Sequence, residues 1–246
     1  MKILGVIPSR YSSTRLPGKP LIDIDGKTMI RRVYEQSQKA TLLNHLVVAT
    51  DDERIVKEVE SFGGNVILTS ADHQSGTDRC AEVAEKISGY DVIINIQGDE
   101  PLINPSQINL LAQCFEKSTT QIATLAKKIE TYSELYNFGT PKLILNQDSE
   151  ALYFSRQAIP HLRDVKPDEW LNDHTFYKHI GIYGFLTDTL LKIKNLPTSS
   201  LEKMEMLEQL RWLENGFKIN VALTEIETLS VDSPEDVEKV LRVLRG

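Results

Sequence analysis

Short apolar runs alternate with amphipathic helical patterns through the first half of the chain. The apolar runs cover residues 3–7, 46–49, 66–68 and 92–96. Helical periods fill the intervals, at residues 29–40, 53–62 and 81–87. Strands joined through helices pair in parallel, so this alternation predicts an α/β fold with a mostly parallel central sheet flanked by helices. Ligands of such sheets bind beyond the carboxyl ends of the strands.

The second half is less regular. Residues 142–145, 182–185 and 219–223 are strand-like, and residues 201–214 and 234–244 are helix-like. The last of these helices begins with Ser233 as N-cap and Pro234 in the first turn. No repeat or flexible linker interrupts the chain, which predicts one domain over residues 1–246 with a smaller insertion lobe at approximately 130–190.

Composition excludes several classes of function. The net charge of −7 over 246 residues argues against nucleic-acid and anionic-membrane partners, which require clustered excess cations. Cys80 and Cys114 show no CxxC spacing and are expected to be buried thiols. The apolar run before Pro8 is too short for a signal peptide, and no window reaches the ~18 apolar residues of a membrane span, so a cytoplasmic location is expected.

The first strand runs into a loop rich in cations and hydroxyl groups. Arg10, Arg15 and Lys19 supply the charge, and Ser12 and Ser13 are among the hydroxyls. Charge-assisted hydrogen bonds to phosphate are strong, so the loop predicts a polyphosphate site, with a solvated basic loop as the alternative. A P-loop is excluded because position 21 is leucine where that motif has glycine, and no G-x-G-x-x-G follows the strand.

Two aspartates are candidate magnesium ligands. Asp99 follows the strand-like run through Gly98, whose lack of a side chain lets a ligand approach closely. Asp232 stands just before the final helix, where an aspartate can equally serve the helix terminus. The residues alone leave both interpretations of Asp232 open.

Further polar residues lie in the second half. Alternation along a strand would place His179 and Tyr183 on one face with Gly181 between them. Arg156 follows an apolar segment, and Glu205 and Glu208 form an i,i+3 pair on a helix. Each of these residues has a purely structural alternative.

Taken together, the motifs resemble those of the 3-deoxy-manno-octulosonate cytidylyltransferases, the CMP-Kdo synthetases. The resemblance spans nearly the whole chain and is carried by IPSRYSSTRLPGKPL at 7–21, HQSGTDR at 73–79, QGDEP at 97–101, ALYFSR at 151–156, HIGIYG at 179–184, LEQLR at 207–211 and Val231-Asp232. It implies a Rossmann-like nucleotidyltransferase fold. It also implies attack of the anomeric hydroxyl of Kdo on the α-phosphorus of CTP, with release of pyrophosphate.

The resemblance assigns roles to residues of three groups. Catalysis would fall to Lys19, Arg15, Asp99 and Asp232, of which the two aspartates would hold Mg²⁺. The nucleotide would be bound by Arg10, Ser12, Ser13, Arg15, Lys19, Ser75, Gly76 and Arg79. The sugar would be bound by Gln97, Arg156, His179, Tyr183, Glu208 and Gln209, with Arg156 on its carboxylate.

The family is typically a homodimer formed largely through the lobe, so a homodimer is expected. Leu186 stands where the family often has arginine, which leaves Kdo and its 8-amino analogue as alternative substrates. The competing functions are transfer to sialic acid by the same architecture, and a noncatalytic nucleotide sensor. The sensor is disfavoured because Lys19 and both aspartates are present.

Overall fold

The fold is described from a computed structural model that covers residues 1–12 and 16–246. Its strands are β1 (Ile3–Ser9), β2 (Asp23–Ile24), β3 (Lys27–Thr28), β4 (His45–Thr50), β5 (Val66–Leu68), β6 (Val92–Asn95), β7 (Ile122–Lys128), β8 (Lys142–Leu145), β9 (Ala151–Ser155), β10 (Tyr177–Leu186) and β11 (Ile219–Leu223). Within these ranges, no helix has the length and apolar character needed to cross a membrane.

Helices flank the strands along the whole chain. They are α1 (Met29–Ser37), α2 (Glu53–Ser61), α3 (Gly76–Lys86), α4 (Pro105–Gln113), α5 (Tyr132–Leu135), α6 (Trp170–Asp173), α7 (Thr187–Ile193), α8 (Ser200–Glu205), α9 (Gln209–Glu214) and α10 (Pro234–Arg245), with 3-10 helices at Lys19–Leu21 and Cys114–Glu116. Several begin at side-chain caps, such as Thr28 before α1 and Asp52 before α2. These caps satisfy backbone N–H groups that have no partner within the helix.

The central sheet is mixed and mostly parallel, as predicted. Its order is β11-β7-β10-β6-β1-β4-β5, and β8 and β9 extend it beside β10. β1 pairs in parallel with β4 and β6, and β11 pairs in parallel with β7. β10 is antiparallel to both β6 and β7. The carboxyl ends of β1 and β6 therefore share one edge of the sheet.

Alternation along the strands divides the apolar side chains between two faces. On β1, Ile3 and Ile7 belong to one hydrophobic cluster, and Leu4 and Val6 belong to the other. The first cluster includes residues of α1, α2, α4 and α10, and the second includes residues of α3, α7 and α9. Helices covering both faces exclude water from the sheet, as the apolar runs of β1 and β6 require.

Some sequence predictions of local structure were incomplete. The helix expected over residues 201–214 is two helices, α8 and α9, because Met206 adopts a left-handed conformation with φ 52° between them. β7, β9 and α4 are among the elements that the sequence did not predict. A short apolar segment fits both the strand period and the helix period, so the pattern does not distinguish them. Cys80 is buried and Cys114 is half-buried, and both are free thiols.

The range 130–190 contributes to two parts of the fold. Leu135, Trp170 and Phe176 form a small separate hydrophobic cluster with Ile129, which directly precedes the range. β10, from the same stretch of chain, lies between β6 and β7 in the central sheet. An insertion lobe with these limits therefore stays a prediction.

Gly184 on β10 allows α4 and the residues that follow it to approach the sheet. A Cβ atom at this position would lie 2.6 Å from Cε2 of Phe115. We expect Gly184→Ala to lower the free energy of unfolding by about 1–3 kcal/mol, since the aromatic ring must shift within a filled core. Urea denaturation measures the change. The matched control is Gly181→Ala on the same strand, where nothing lies within 4 Å, and an equal loss in both variants would contradict the steric explanation.

Candidate active site

A cavity of about 570 Å³ opens at the carboxyl edge of the sheet. It brings together predicted residues from four distant segments, namely Gln97, Asp99, Arg156, His179 and Asp232. The remaining lining residues are Glu100, Gly139, Thr140, Pro141, Lys178, Ile180, Gly181, Glu227, Thr228 and Ser230. The position agrees with the rule that ligands of open α/β sheets bind beyond the strand ends.

Asp99 and Asp232 converge on one cation. The ammonium group of Lys19 donates hydrogen bonds to Oδ2 of Asp99 at 2.7 Å and to Oδ1 of Asp232 at 3.0 Å. Gly18, in the left-handed region at φ 68°, turns the chain into the short helix that carries Lys19. The backbone N–H of Val231 donates to the carbonyl of Asp99, which ties the two acidic segments together. The two carboxylates can therefore share a single positive charge.

The ends of β1 and β6 approach each other closely at Gly98. A Cβ atom on this residue would lie 2.8 Å from the backbone oxygen of Pro8, so only glycine fits without a shift of the chain. Besides the ligand access that the sequence predicts for this glycine, the structure shows a second reason, a strand-to-loop contact. The contact sets the distance between the opening loop and Asp99.

The opening loop is only partly described. Arg10 and Ser12 are exposed on its first part, directly after β1. The predicted phosphate-binding residues Ser13 and Arg15 lie outside the described residues.

The start of α3 is linked to Glu208. Ser75 and Asp78 form a capping box, and the hydroxyl of Thr77 donates to Glu208 Oε2 at 2.8 Å. Burial raises the pKa of Glu208, while hydrogen bonds from Thr77 and Ser75 oppose that shift. A Cβ atom on Gly76 would lie 3.4 Å from the side-chain nitrogen of Asn95. The predicted nucleotide segment and one predicted sugar residue are thus in direct contact.

Arg79 is buried beneath this segment, with 1% of its surface exposed. Nη2 lies 3.0 Å from Oδ1 of Asp51, and Nη1 donates to the hydroxyl of Thr69. Burial lowers the pKa of Arg79, and the charge of Asp51 acts in the opposite direction. This geometry anchors α3 to the ends of β4 and β5, and its predicted contact with cytidine stays a prediction.

His179 and Tyr183 lie together, as the strand pattern predicted. Their ring centroids are 5.2 Å apart, and Gln97 Nε2 donates to the carbonyl of Gly181 between them at 2.7 Å. Burial lowers the pKa of His179 to about 3, so the imidazole is neutral near pH 7.

Arg156 lines the cavity and is hydrogen-bonded to three backbone carbonyls. Its guanidinium group donates to the backbone carbonyls of Glu205, Phe138 and Met206. A guanidinium group has five N–H donors, so two remain for a carboxylate. Nearby, the buried Lys142 donates to the carbonyls of Asn137 and Thr140. Burial, together with the charge of Arg156, lowers the pKa of Lys142 to about 8.

Several buried polar atoms lack a hydrogen-bond partner among residues 1–12 and 16–246. They include Ser9 Oγ, Asn95 Oδ1, Tyr183 OH and Gln209 Nε2. Tyr183 and Asn95 are opposite each other across β10 and β6, and Ser9 ends β1. Unpaired buried polar groups cost free energy and commonly mark a ligand site. Asn95 is not among the site residues that the sequence predicts. A polar amide side chain at the end of the apolar strand β6 could have indicated it.

Comparison with known proteins identifies the relatives of this chain. The sequence model of the cytidylyltransferase family matches residues 4–219. A 3-deoxy-manno-octulosonate cytidylyltransferase from Parabacteroides distasonis is 55% identical over 99% of this chain and 98% of its own length. One from Bacteroides thetaiotaomicron is 53% identical over 100% of this chain and 99% of its own length.

A solved structure extends this similarity to the fold. CMP:2-keto-3-deoxy-manno-octonic acid synthetase complexed with CTP superposes with a TM-score of 0.93 at 40% identity, covering 100% of this chain and 99% of that one. The sheet and cavity described above therefore belong to a nucleotidyltransferase fold. Similarity at this level over the full length shows that the chain belongs to the 3-deoxy-manno-octulosonate cytidylyltransferase family.

Proposed function

We propose that this protein transfers CMP from CTP to the anomeric hydroxyl of Kdo, forming CMP-Kdo for lipopolysaccharide synthesis. The anomeric oxygen bonds to the α-phosphorus, the bond from that phosphorus to the leaving pyrophosphate breaks, and the hydroxyl proton is released. The observation that carries the proposal is the convergence of Lys19, Asp99 and Asp232 at a cavity lined by Arg156, in a chain with full-length relatives of that name.

Asp99 and Asp232 would hold a magnesium ion. The shared contact with the Lys19 ammonium supports this, because it brings an oxygen of each aspartate to within 3.0 Å of one cation. Among the described residues, no group of three His, Cys, Asp or Glu side chains could form a complete metal site. An incomplete protein ligand set suits Mg²⁺, which retains water and binds substrate phosphates. Bound there, Mg²⁺ would neutralise phosphate charge and lower the pKa of a coordinated hydroxyl.

Lys19 now bonds to Asp99 and Asp232. Once these two carboxylates hold a divalent ion, the ammonium group of Lys19 would bind the triphosphate instead. Its ammonium group lies at the same edge as Arg10 and Ser12, so these donors could surround one polyphosphate. Negative charge builds on the phosphate oxygens as pyrophosphate leaves, and fixed cations stabilise that charge. Arg15 and Ser13 would contribute from the same loop.

Arg156 would orient the sugar through its carboxylate. The three backbone carbonyls that it binds fix the guanidinium plane before substrate arrives. A fixed fork matches a carboxylate in two parallel hydrogen bonds at low entropic cost. Gln97 and His179 line the same cavity, and Tyr183 packs against His179. Glu208 accepts a hydrogen bond from Thr77 of α3, and Gln209 follows it at the start of α9.

Among the described residues near the two aspartates, neither Glu100 nor His179 is suited to act as a general base at neutral pH. Glu100 is buried, and burial together with the Asp99 carboxylate raises its pKa to about 8, so its carboxyl group is mostly protonated near pH 7. His179, with a pKa of about 3, is also a poor proton acceptor at neutral pH. We infer that activation of the sugar hydroxyl would come from the ion that Asp99 and Asp232 would hold. Loss of turnover, with all substrates still bound, in a variant of a nearby side chain assigned neither to the metal nor to the phosphates would contradict this inference.

We also propose that the protein is a homodimer, with the cytoplasm as its place of action. Large apolar side chains are exposed near the Arg156 contacts, with exposed fractions of 60% for Phe138, 59% for Leu152 and 75% for Met206. Exposed apolar side chains in one region of the chain are typical of an interaction surface. A second copy of the chain would cover them.

The proposed function is tested by pyrophosphate release. We expect release with CTP, Mg²⁺ and Kdo, and little release when UTP replaces CTP or sialic acid replaces Kdo. The same assay with 8-amino-Kdo tests whether this analogue, which Leu186 leaves as an alternative, is the substrate. Asp99→Asn is expected to lower turnover by about 100-fold or more, because it removes charge at the reacting phosphate. Asp188→Asn, on the exposed start of α7, is the matched control. Binding of CTP without turnover on any sugar would favour the nucleotide sensor instead.

Arg156→Lys keeps the positive charge but removes the planar fork. We expect kcat/KM for Kdo to fall about 10- to 100-fold, since hydrogen bonds to a charged group are lost, while the KM for CTP stays near its original value. Steady-state kinetics with each substrate varied separately measure the two effects. Arg163→Lys, on an exposed loop, should leave both constants unchanged. Equal losses for both substrates would argue against a sugar-specific role.

Glu100 makes stability depend on pH in the metal-free protein. Its folded pKa of about 8 exceeds the usual value of 4.5, so the folded state retains a proton that the unfolded state loses. The free energy of unfolding should therefore fall as pH rises from about 5 to about 8, by an amount on the order of a few kcal/mol. Urea denaturation at several pH values should show that the free energy of unfolding of Glu100→Gln depends less on pH than that of the original protein. The exposed Glu116→Gln should reproduce the original slope.

A further inference from the structure

β10 carries an irregularity at the cavity. Ile180 pairs with Leu125 on β7, but the next paired residue, Tyr183, is opposite the adjacent Thr124. Gly181 and Ile182 are therefore extra residues, and β10 bulges at the point where His179 and Gly181 line the cavity. Bulges of this kind redirect side chains and leave backbone groups without ladder partners.

The hydroxyl group of Thr124 fills the inside of this bulge. Thr124 is fully buried, and its Oγ1 lies 2.7 Å from the carbonyl oxygen of Ile182 and 3.2 Å from that of Ile180. The same Oγ1 lies 2.9 Å from Nε2 of His179. One hydroxyl thus connects both sides of the bulge to the imidazole.

The single hydrogen of the Thr124 hydroxyl group indicates which nitrogen of His179 is protonated. A threonine hydroxyl has one hydrogen and can otherwise only accept. Two oxygens as close as Thr124 Oγ1 and Ile182 O require that hydrogen between them, because unshared lone pairs at that distance repel. Oγ1 then faces His179 with a lone pair, so Nε2 must supply the hydrogen of the third contact.

We propose that Thr124 is a positioning residue that holds neutral His179 as its Nε2–H tautomer and presents Nδ1 as an acceptor for a hydroxyl of the acidic sugar. His179 lines the cavity, and Nδ1 makes no hydrogen bond to the part of the chain described by the structure. Phe154 and Tyr183 pack against the ring at centroid distances of 5.2 Å and limit its rotation. The hydroxyl recognition rests on the proposed function, whereas the tautomer does not.

The tautomer is tested by nitrogen NMR on the protein labelled at histidine. The chain has five histidines, and comparison with His179→Gln identifies the signals of His179. We expect long-range proton–nitrogen correlations at neutral pH to show a protonated Nε2 and an unprotonated Nδ1. A protonated Nδ1 in the original protein would overturn the proposal, whatever the activity of the enzyme.

Two substitutions at Thr124 test the consequence for the sugar. Thr124→Val keeps the shape of the side chain but removes the hydroxyl, so we expect the Nε2–H preference to be lost and the KM for Kdo to rise about tenfold. The KM for CTP should change little. Thr124→Ser restores the hydroxyl and should restore both the spectrum and the KM.

The matched control is Thr120→Val near the start of β7. Thr120 is also buried, and its hydroxyl has no hydrogen-bond partner among the described residues. This control should leave the His179 signals and the KM for Kdo unchanged.

An unchanged KM in folded Thr124→Val would overturn the positioning role. Absence of activity with CTP and Kdo in the original protein would instead refute the proposed function, and the spectrum would still decide the tautomer.

Discussion

The close approach of β1 and β6 at their carboxyl ends is the constraint on which the candidate site depends. Parallel pairing brings the two strands side by side, and Gly98 lets the backbone after β6 lie against Pro8. Lys19, which follows the first loop, can then reach Asp99 across the sheet edge. The contact from Val231 to the Asp99 carbonyl adds Asp232 to the same point. A side chain at position 98 would separate these groups.

Buried positive charges are a second feature of this edge, in a chain with a net charge of −7. Arg79 is paired with Asp51, and Lys178 is paired with Glu134 and Glu227. Other cations bind backbone carbonyls, as Lys142 and Arg156 do in the turn after α5. A buried cation without such partners would be strongly destabilising. The pairing therefore holds in place the loops around the cavity.

The fold was largely predictable because its strands and helices are locally encoded. Residues 3–7 and 92–96 are continuous apolar runs, and the caps before α3 and α10 use Ser75 and Ser233. The break at Met206 was not predictable, since a left-handed non-glycine residue has no local signature and is held by tertiary contacts such as the one from Arg156. β7 and β9 were missed because short apolar segments fit either period.

The sequence by itself determined the family, because each motif that identifies it is a contiguous run of residues. It also predicted that the opening loop and the two aspartates belong to the site. The tertiary structure alone decided that Asp99 and Asp232 share one cation, that Arg79 is buried against Asp51, and that Thr124 joins the β10 bulge to His179. These contacts connect residues 28 to 213 positions apart. Their distances depend on strand order and register, which no local pattern of residues encodes.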